Sequence, residues 1–275
     1  MHEETSEVAM RMLPPLIRTL GLVAPAVAAD FARRVATRPS PARRRPEPAG
    51  AEPVTFRFGL AGLRWGAGGP TVLALHGWEG RAAQFRGLGE RLAARGYRLV
   101  ALDAPAHGRS PGREADPVVF ADALREAAAE LGPLHAVVGH SMGGASVLYA
   151  VSQGLRSERS VAIAAPAGVG GVLARIAGRL GLGETARRRF FAAMSQRSGM
   201  PPEALDIDRL AGGIGQPLLV VHDHEDAVIP FADAERIAGA TRARLLATRG
   251  LGHRNVLRDP AVLDQIVDFL DARAA

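Results

Sequence analysis

From Val54 onward, short apolar segments alternate with segments of helical periodicity. The apolar segments predict strands near 54–59, 61–65, 71–75, 98–102, 134–138, 160–164, 217–222 and 243–247. The helical segments fit near 81–95, 117–131, 142–153, 231–239 and 260–272. Because strands that alternate with helices tend to pair in parallel under two helical layers, the pattern predicts an α/β fold with a mostly parallel central sheet and helices on both faces.

The alternation stops between Pro166 and Gly213. This segment contains helical stretches but no strand pattern, so it predicts a small helical cap, inserted at about 166–213 into a domain that spans 51–275.

Residues 1–50 form a separate region that predicts an N-terminal helical arm and a Pro/Arg-rich linker. The arm has apolar residues at helical spacing on both sides of a break near Pro25: Leu13, Leu16, Ile17, Leu20 and Val23 before it, and Val27, Phe31 and Val35 after it. Residues 11–46 hold eight arginines against Asp30, so this stretch is a candidate for an anionic membrane surface. We favour packing against the domain or a second subunit, because proline-containing breaks shorten any continuous membrane-lying face.

Composition excludes several chemistries. The chain has no cysteine and no lysine, which rules out disulfides, thiolate ligands, a cysteine nucleophile and lysine Schiff bases. The net charge of +6 lies mainly in the arm, since residues 47–275 hold 26 arginines against 24 acidic residues. This distribution and the low content of aromatic residues, 5%, give no support to nucleic-acid binding.

A cleaved signal sequence is not favoured, because Arg18 interrupts the early apolar stretch. We expect a cytoplasmic protein, with an exported or membrane-peripheral one as the alternative.

Residues 136–150 read AVVGHSMGGASVLYA, in which an apolar run leads into small residues of helical character. Ser141 lies at the junction, between Gly139 and Gly143, in the pattern G-x-S-x-G. A sharp turn from strand to helix would hold its hydroxyl out at the carboxyl end of a parallel strand, where functional groups collect. The pentapeptide also occurs by chance in a Gly-rich chain, so it is the placement that favours a nucleophile over a structural turn.

A serine hydroxyl needs a base to accept its proton. His253, in TRGLGHRNVL after the last predicted strand, is the best candidate of the eight histidines. The acid should follow a strand between the two, and PLLVVHDHEDAVIP supplies a cluster there. We favour Asp226, which begins the turn D-x-x-x-P, with Asp223 as its competitor. Ser141, Asp226 and His253 are thus the predicted catalytic residues, in an order compatible with a triad.

An oxyanion needs backbone donors. The amide of Met142, directly after the nucleophile, is one candidate, and the amide of Trp78 in LHGWEG is the second. Gly77 would let this loop come close to the serine. His76 is expected to shape the loop rather than to act as a base.

Four of these motifs, LHGWEG, GHSMGG, DAVIP and GLGH, resemble in sequence and order the oxyanion loop, nucleophile elbow, acid turn and histidine loop of the α/β-hydrolase superfamily. The resemblance covers about residues 53–275 and implies a serine hydrolase that forms an acyl-enzyme. LDAPAHGRS is similar to the family's D-x-P-G-H-G-x-S turn, with Ala106 where glycine is usual. Asp103 and His107 in that turn are expected to be structural.

We therefore expect hydrolysis of carboxylic esters, or of thioesters, with small or medium acyl or aryl groups. No metal or organic cofactor is expected, and the oligomeric state is left open. C–C bond hydrolysis, acyl transfer and cofactor-free haloperoxidase activity are alternatives on the same triad, and a non-catalytic binding protein is an alternative of another class.

Two sets of residues in the predicted cap have alternative roles. Phe190, Phe191 and Met194 either line the substrate pocket or hold the cap to its domain. Arg187, Arg188 and Arg189 either receive an anionic substrate or form a solvated helix face, which we favour.

Overall fold

The computed structural model describes residues 21–40 and 46–272. These residues form one eight-stranded sheet with helices around it. Its strands follow the order β1-β2-β4-β3-β5-β6-β7-β8. Their bounds are β1 Glu52–Thr55, β2 Ala61–Trp65, β3 Thr71–Leu75, β4 Arg98–Leu102, β5 Ala136–His140, β6 Arg159–Ile163, β7 Leu218–Asp223 and β8 Arg244–Thr248. Strand β2 pairs antiparallel with both β1 and β4, and every other neighbouring pair is parallel. The predicted α/β fold with a mostly parallel sheet is confirmed.

Helices cover both faces of this sheet. Their bounds are α1 Pro25–Thr37, α2 Arg86–Ala94, α3 Pro117–Leu131, α4 Met142–Ser152, α5 Val169–Arg179, α6 Glu184–Ser198, α7 Ile207–Leu210, α8 Phe231–Thr241, α9 Gly252–Asn255 and α10 Pro260–Asp271, with 3₁₀ turns at Arg57–Gly59, Ala82–Phe85, Pro202–Leu205 and Ala211–Gly213. Alternate residues of β3 point into opposite apolar layers, Leu73 and Leu75 into one and Val72 and Ala74 into the other. The central strands β3, β5 and β6 are therefore buried on both faces.

Two strands, β5 and β1, differ from the predicted ones by two residues or more, and the ends of the other strands lie within one residue of the prediction. Strand β5 was expected to end at Val138, but it continues through Gly139 and His140, which pair with Ala162 and Ile163 of β6. The apolar run of the sequence does not predict this extension, because the extension depends on pairing with the neighbouring strand β6. Its consequence is that the chain leaves the sheet directly at Ser141.

Strand β1 was predicted to reach residue 59 but ends at Thr55. A 3₁₀ turn follows, in which Phe58 has a φ of 58° and an exposed side chain. Because this left-handed conformation breaks the alternation of a strand, the apolar residues here do not extend it.

Residues 166–213 contain helices α5, α6 and α7, and none of the strands described above lies within this stretch. The predicted apolar stripe of α6 is buried: Phe190 is fully enclosed and Met194 nearly so, both within the same apolar layer as α3 and α4. We refer to residues 166–213 as the helical insertion.

The N-terminal arm packs against this insertion through α1 and α6. Its buried face consists of Ala28, Ala29 and Ala32, whereas Val27 and Val35 are exposed. Of the apolar residues expected on one face of this helix, Val27 and Val35 lie outside the contact, whereas Phe31 is partly buried against the core. The small alanines allow the two helices to approach closely. Helix α1 begins at Pro25, near the predicted break; the stripe from Leu13 to Leu20 lies outside the described residues.

Ion pairs reinforce the contact. Glu114 accepts from Arg33 and Arg38 of the arm, at 3.2 and 2.7 Å, and from Arg197 of α6 at 2.6 Å. Ser40 donates through its amide and hydroxyl to Glu79, in the loop after β3. Across residues 21–40 and 46–272, no helix combines the length and apolarity that a membrane span requires.

We expect Ala32→Glu to lower the free energy of unfolding by about 2–4 kcal/mol, because it places a charge in the contact between α1 and α6. Val27→Glu, on the exposed side of the same helix, should change it by about 0.5 kcal/mol or less. Urea unfolding of both variants measures the difference. Equal effects would contradict the packing of the arm, and binding to anionic liposomes that Val27→Glu abolishes would support the membrane alternative.

Candidate active site

Ser141 occupies the turn between β5 and α4. Its backbone has φ 54° and ψ −121°, a strained conformation for a residue with a Cβ, and its amide donates to the carbonyl of Ile163 at 2.8 Å. The strain is typical of functional positions and lifts the side chain away from the sheet edge.

Glycines around this turn allow contacts that no side chain would permit. A Cβ at Gly143 would lie 2.3 Å from the carbonyl oxygen of Leu75, and one at Gly139 would lie 2.3 Å from the carbonyl oxygen of Gly143. Helix α4 thus packs directly on strands β3 and β5. The small residues of GHSMGG are required by this packing whatever the serine does.

His253 lies in α9, the short helix that follows β8. Its Nε2 is 3.0 Å from Oγ of Ser141, and its Nδ1 is 2.7 Å from Oδ2 of Asp226. The three predicted catalytic residues, which are separated by up to 112 positions in sequence, therefore form one chain of hydrogen bonds. Such a chain lets an imidazole take a proton from the hydroxyl while the carboxylate stabilises the charge that results.

Asp226 is held by several donors. Its Oδ1 accepts from the amides of Val228 and Ile229 at 2.8 and 2.9 Å, and the buried ring of His222 lies 3.3 Å from Oδ2. Burial by itself would raise the pKa of this carboxyl, but the hydrogen bonds from His222, from His253 and from the two amides outweigh it and hold the pKa well below its usual range. Asp226 is therefore ionised at neutral pH.

Asp223, the competing acid, has another role. Its Oδ2 accepts from the Thr248 hydroxyl at 2.7 Å and from the amide of Leu251 at 3.0 Å. These bonds fix the loop that carries His253 without touching its ring. Of the two carboxylates that the sequence left open, that of Asp226 reaches the imidazole and that of Asp223 bonds the loop instead.

The loop after β3 lies against the serine, since a Cβ at Gly77 would come within 2.7 Å of Cβ of Ser141. His76 is fully buried: its Nδ1 lies 2.7 Å from the carbonyl of Gly77, and its Nε2 accepts from the amide of Ala104 at 3.0 Å. It shapes the loop, as expected. Trp78 follows Gly77, and Met142 begins α4, where the first amides have no carbonyl partner from a preceding turn.

The turn similar to D-x-P-G-H-G-x-S is structural. The carboxylate of Asp103 accepts from the amides of Ala82 and Arg109 at 2.7 and 2.9 Å. The His107 ring packs against that of Trp78. Ala106 keeps a φ of 65°, so alanine adopts the left-handed conformation for which glycine is usual.

Two buried histidines make stability depend on pH. Burial lowers the pKa of His76 to about 3 and that of His140, whose Nε2 lies 2.9 Å from the carbonyl of His253, to about 4. An imidazole in the unfolded chain has a pKa of about 6.5. Between these values the unfolded state binds more protons, so the free energy of unfolding falls as pH falls.

We expect the free energy of unfolding to decrease by on the order of several kcal/mol from about pH 7 to about pH 4.5, before the carboxyl groups contribute much. Denaturant melts across this range measure it. His140→Gln should make the pH dependence shallower, because it removes one of the two buried imidazoles. A free energy that stays constant from pH 7 to pH 5 would contradict the prediction.

A cavity of about 1440 Å³ opens over Ser141 and His253. Its walls come from the loop after β3, the region of α2, and the segment 253–263. Phe190, Phe191 and Met194, the residues proposed for a substrate pocket, do not line it. That prediction is wrong because α6 turns its apolar stripe toward the core and α1, which is the alternative role considered for these residues.

Sequence reasoning missed His140 and His222. Both are buried, and they lie at the ends of β5 and β7, against His253 and Asp226 respectively. Their positions after apolar strands were the available signal. His224 stacks on Phe231 at 3.7 Å, and within the described ranges no group of three or more His, Cys, Asp or Glu side chains is placed to bind a metal ion.

Comparison with known proteins agrees with the fold. A family model described as the alpha/beta hydrolase fold matches residues 70–167. The structure is similar to the esterase Pf2001 from Pyrococcus furiosus, with 20% identity and a TM-score of 0.64 over 85% of this chain and 97% of that one.

Two further solved structures are similar. A thioesterase domain from the curacin biosynthetic pathway shares 17% identity, with a TM-score of 0.61 over 81% of this chain and 99% of that one. A membrane phospholipase A, described as a bacterial virulence factor, shares 17% identity, with a TM-score of 0.63 over 98% of each chain. The match of the family model to residues 70–167 and the similar solved structures agree with the α/β-hydrolase fold that the sequence motifs predicted.

Proposed function

We propose that this protein is a serine hydrolase that cleaves carboxylic esters, including thioesters, through an acyl-enzyme. The observation that carries the proposal is the chain of hydrogen bonds from Ser141 through His253 to Asp226, in which Ser141 and His253 line a cavity. The names of the similar proteins, an esterase, a thioesterase and a phospholipase A, agree with this class of reaction.

In the acylation step, Oγ of Ser141 attacks the carbonyl carbon of the ester while Nε2 of His253 takes the hydroxyl proton. Asp226 keeps Nδ1 protonated and stabilises the imidazolium that forms. The carbonyl oxygen becomes an oxyanion, and the amides of Met142 and Trp78 are the proposed donors to it. Collapse of the tetrahedral intermediate breaks the bond to the alcohol or thiol, which leaves with the proton from His253.

In the deacylation step, water attacks the acyl group on Ser141. His253 takes a proton from this water and returns it to Oγ when the second tetrahedral intermediate collapses. The products are a carboxylic acid and free enzyme. Every proton transfer uses the same imidazole, so the reaction needs no group beyond those that the chain supplies.

The cavity is large enough for substrates of small or medium size. Leu63, Val228 and Leu257 contribute apolar surface to its walls, alongside many polar side chains. An ester could therefore bury part of its acyl or alcohol group while its carbonyl lies at Ser141.

Partition between water and methanol tests the acyl-enzyme. Butyrate esters of p-nitrophenol and of phenol should give the same ratio of methyl butyrate to butyric acid at a given methanol concentration, because both pass through one butyryl-enzyme. A ratio that changes with the leaving group would contradict the intermediate. Failure to hydrolyse any ester, with the protein folded, would favour the non-catalytic alternative.

A further inference from the structure

The cavity over Ser141 is rich in arginine. Six arginines line it, Arg81, Arg86, Arg91, Arg109, Arg254 and Arg258, against the acidic residues Glu47, Glu79 and Asp103. Since the body of the chain as a whole is nearly neutral, this excess of positive charge is a local property of the cavity.

Three of these arginines have partners. Arg91 pairs with Asp264 at 2.7 Å, Arg86 with Glu90 at 2.7 Å, and Arg109 with Glu47 at 3.3 Å. Arg81, Arg254 and Arg258 make no ion pair with any other residue in the part of the chain that the structure describes. Their guanidinium groups are thus available to a ligand.

The three available arginines come from two walls. Arg254 directly follows His253, and Arg258 lies four residues further, with Leu257 between them at the cavity wall. Arg81 comes from the other wall, three residues after Trp78. An ester with its carbonyl at Ser141 could therefore extend a substituent between them.

The acidic residues do not cancel this charge. Asp103 directs its carboxylate to two backbone amides, and Glu47 is paired with Arg109. Glu79 accepts from the Ser40 hydroxyl and amide, bonds that help to lower its pKa and keep it charged. One carboxylate, that of Glu79, is then left to offset three guanidinium groups.

We propose that the cavity binds an ester or thioester bearing an anionic group, a carboxylate or a phosphate, which pairs with Arg254, Arg258 and Arg81. The inference rests on the proposed function and adds its substrate class. A guanidinium presents a planar fork of donors that matches both anions, and an excess of one charge in a cleft also draws in the oppositely charged ligand. The arginines first considered for this role, Arg187 to Arg189, lie on α6 and do not line the cavity.

Two matched substrate pairs test the proposal and separate the two anions. Mono-p-nitrophenyl glutarate carries a carboxylate that p-nitrophenyl pentanoate lacks, and butyryl coenzyme A carries phosphates that the butyryl thioester of N-acetylcysteamine lacks. We expect kcat/KM to be at least about tenfold higher for the anionic member of one pair, and this preference to weaken as salt rises from about 0.05 M to about 0.5 M. The pair that shows the preference identifies the anion.

The double variant Arg254→Gln/Arg258→Gln should lower the anionic-to-neutral ratio of kcat/KM about tenfold, mainly through KM. The double variant Arg188→Gln/Arg189→Gln removes the same number of charges from exposed positions of α6 and should leave the ratio unchanged. Equal kcat/KM within both pairs, or an unchanged ratio in Arg254→Gln/Arg258→Gln, would overturn the inference while the proposed function stands. Hydrolysis of neither member of either pair would overturn the proposed function itself.

Discussion

Ser141→Ala and His253→Ala should each lower kcat for ester hydrolysis by at least about 10³-fold, because the nucleophile and its base act as a unit. Without Oγ no acyl-enzyme forms, and without the imidazole the hydroxyl keeps its proton. The double variant should be hardly slower than either single variant, since each change alone disables the same step. Initial rates with p-nitrophenyl butyrate measure all three.

Ser152→Ala is the matched control for the serine. Ser152 ends α4, the helix that Ser141 precedes, and its hydroxyl bonds only groups within that helix end, among them the carbonyl of Tyr149. It should keep the activity of the unmodified protein. Wild-type turnover by Ser141→Ala would remove the basis of the proposed function.

Asp226→Asn should lower kcat by about 10³- to 10⁴-fold, by analogy with the same change in other Ser-His-Asp triads. The amide of asparagine cannot stabilise the imidazolium, and its NH₂ group favours the tautomer in which Nε2 carries the proton and cannot act as a base. The depressed pKa of Asp226 implies that its charge persists through mildly acidic pH. A loss of activity between about pH 7 and about pH 5 is therefore not expected to come from this carboxyl.

Asp223→Asn separates catalysis from support of the histidine loop. Asp223 bonds Thr248 and Leu251 but not the His253 ring, so the change should lower the free energy of unfolding by about 1–2 kcal/mol and affect kcat far less than Asp226→Asn does. Thermal melts and initial rates of the two variants make the comparison. A larger loss of kcat in Asp223→Asn would assign the acid role to that residue.

The fold was predictable because its central strands are buried on both faces. An apolar segment such as β3 is stable only between two helical layers. The local sequence pattern is therefore enough to predict such a strand. The predicted strand ends that were wrong are those that a local apolar pattern does not determine. The extension of β5 through His140 depends on pairing with β6, and the end of β1 depends on a left-handed residue, Phe58.

The site residues could be predicted from their positions after strands, but the distances between their side chains could not be predicted. Parallel strands bring their carboxyl ends to one edge, which is why Ser141, Asp226 and His253 could be placed near one another before any contact was known. The selection of Asp226 over Asp223 needed the direction of two side chains that lie only three residues apart. The cavity walls were not foreseen, because the stripe of Phe190 and Met194 looks the same whether it faces a ligand or the core.

Covalent labelling followed by peptide mass spectrometry tests whether Ser141 is the activated nucleophile. A fluorophosphonate phosphonylates an activated serine and requires both the nucleophile and its base. We expect one label per chain, on the peptide that contains Ser141, with loss of ester hydrolysis in proportion to labelling and slow labelling in His253→Ala. A label on a different serine, or full labelling of Ser141 with hydrolysis retained, would contradict it.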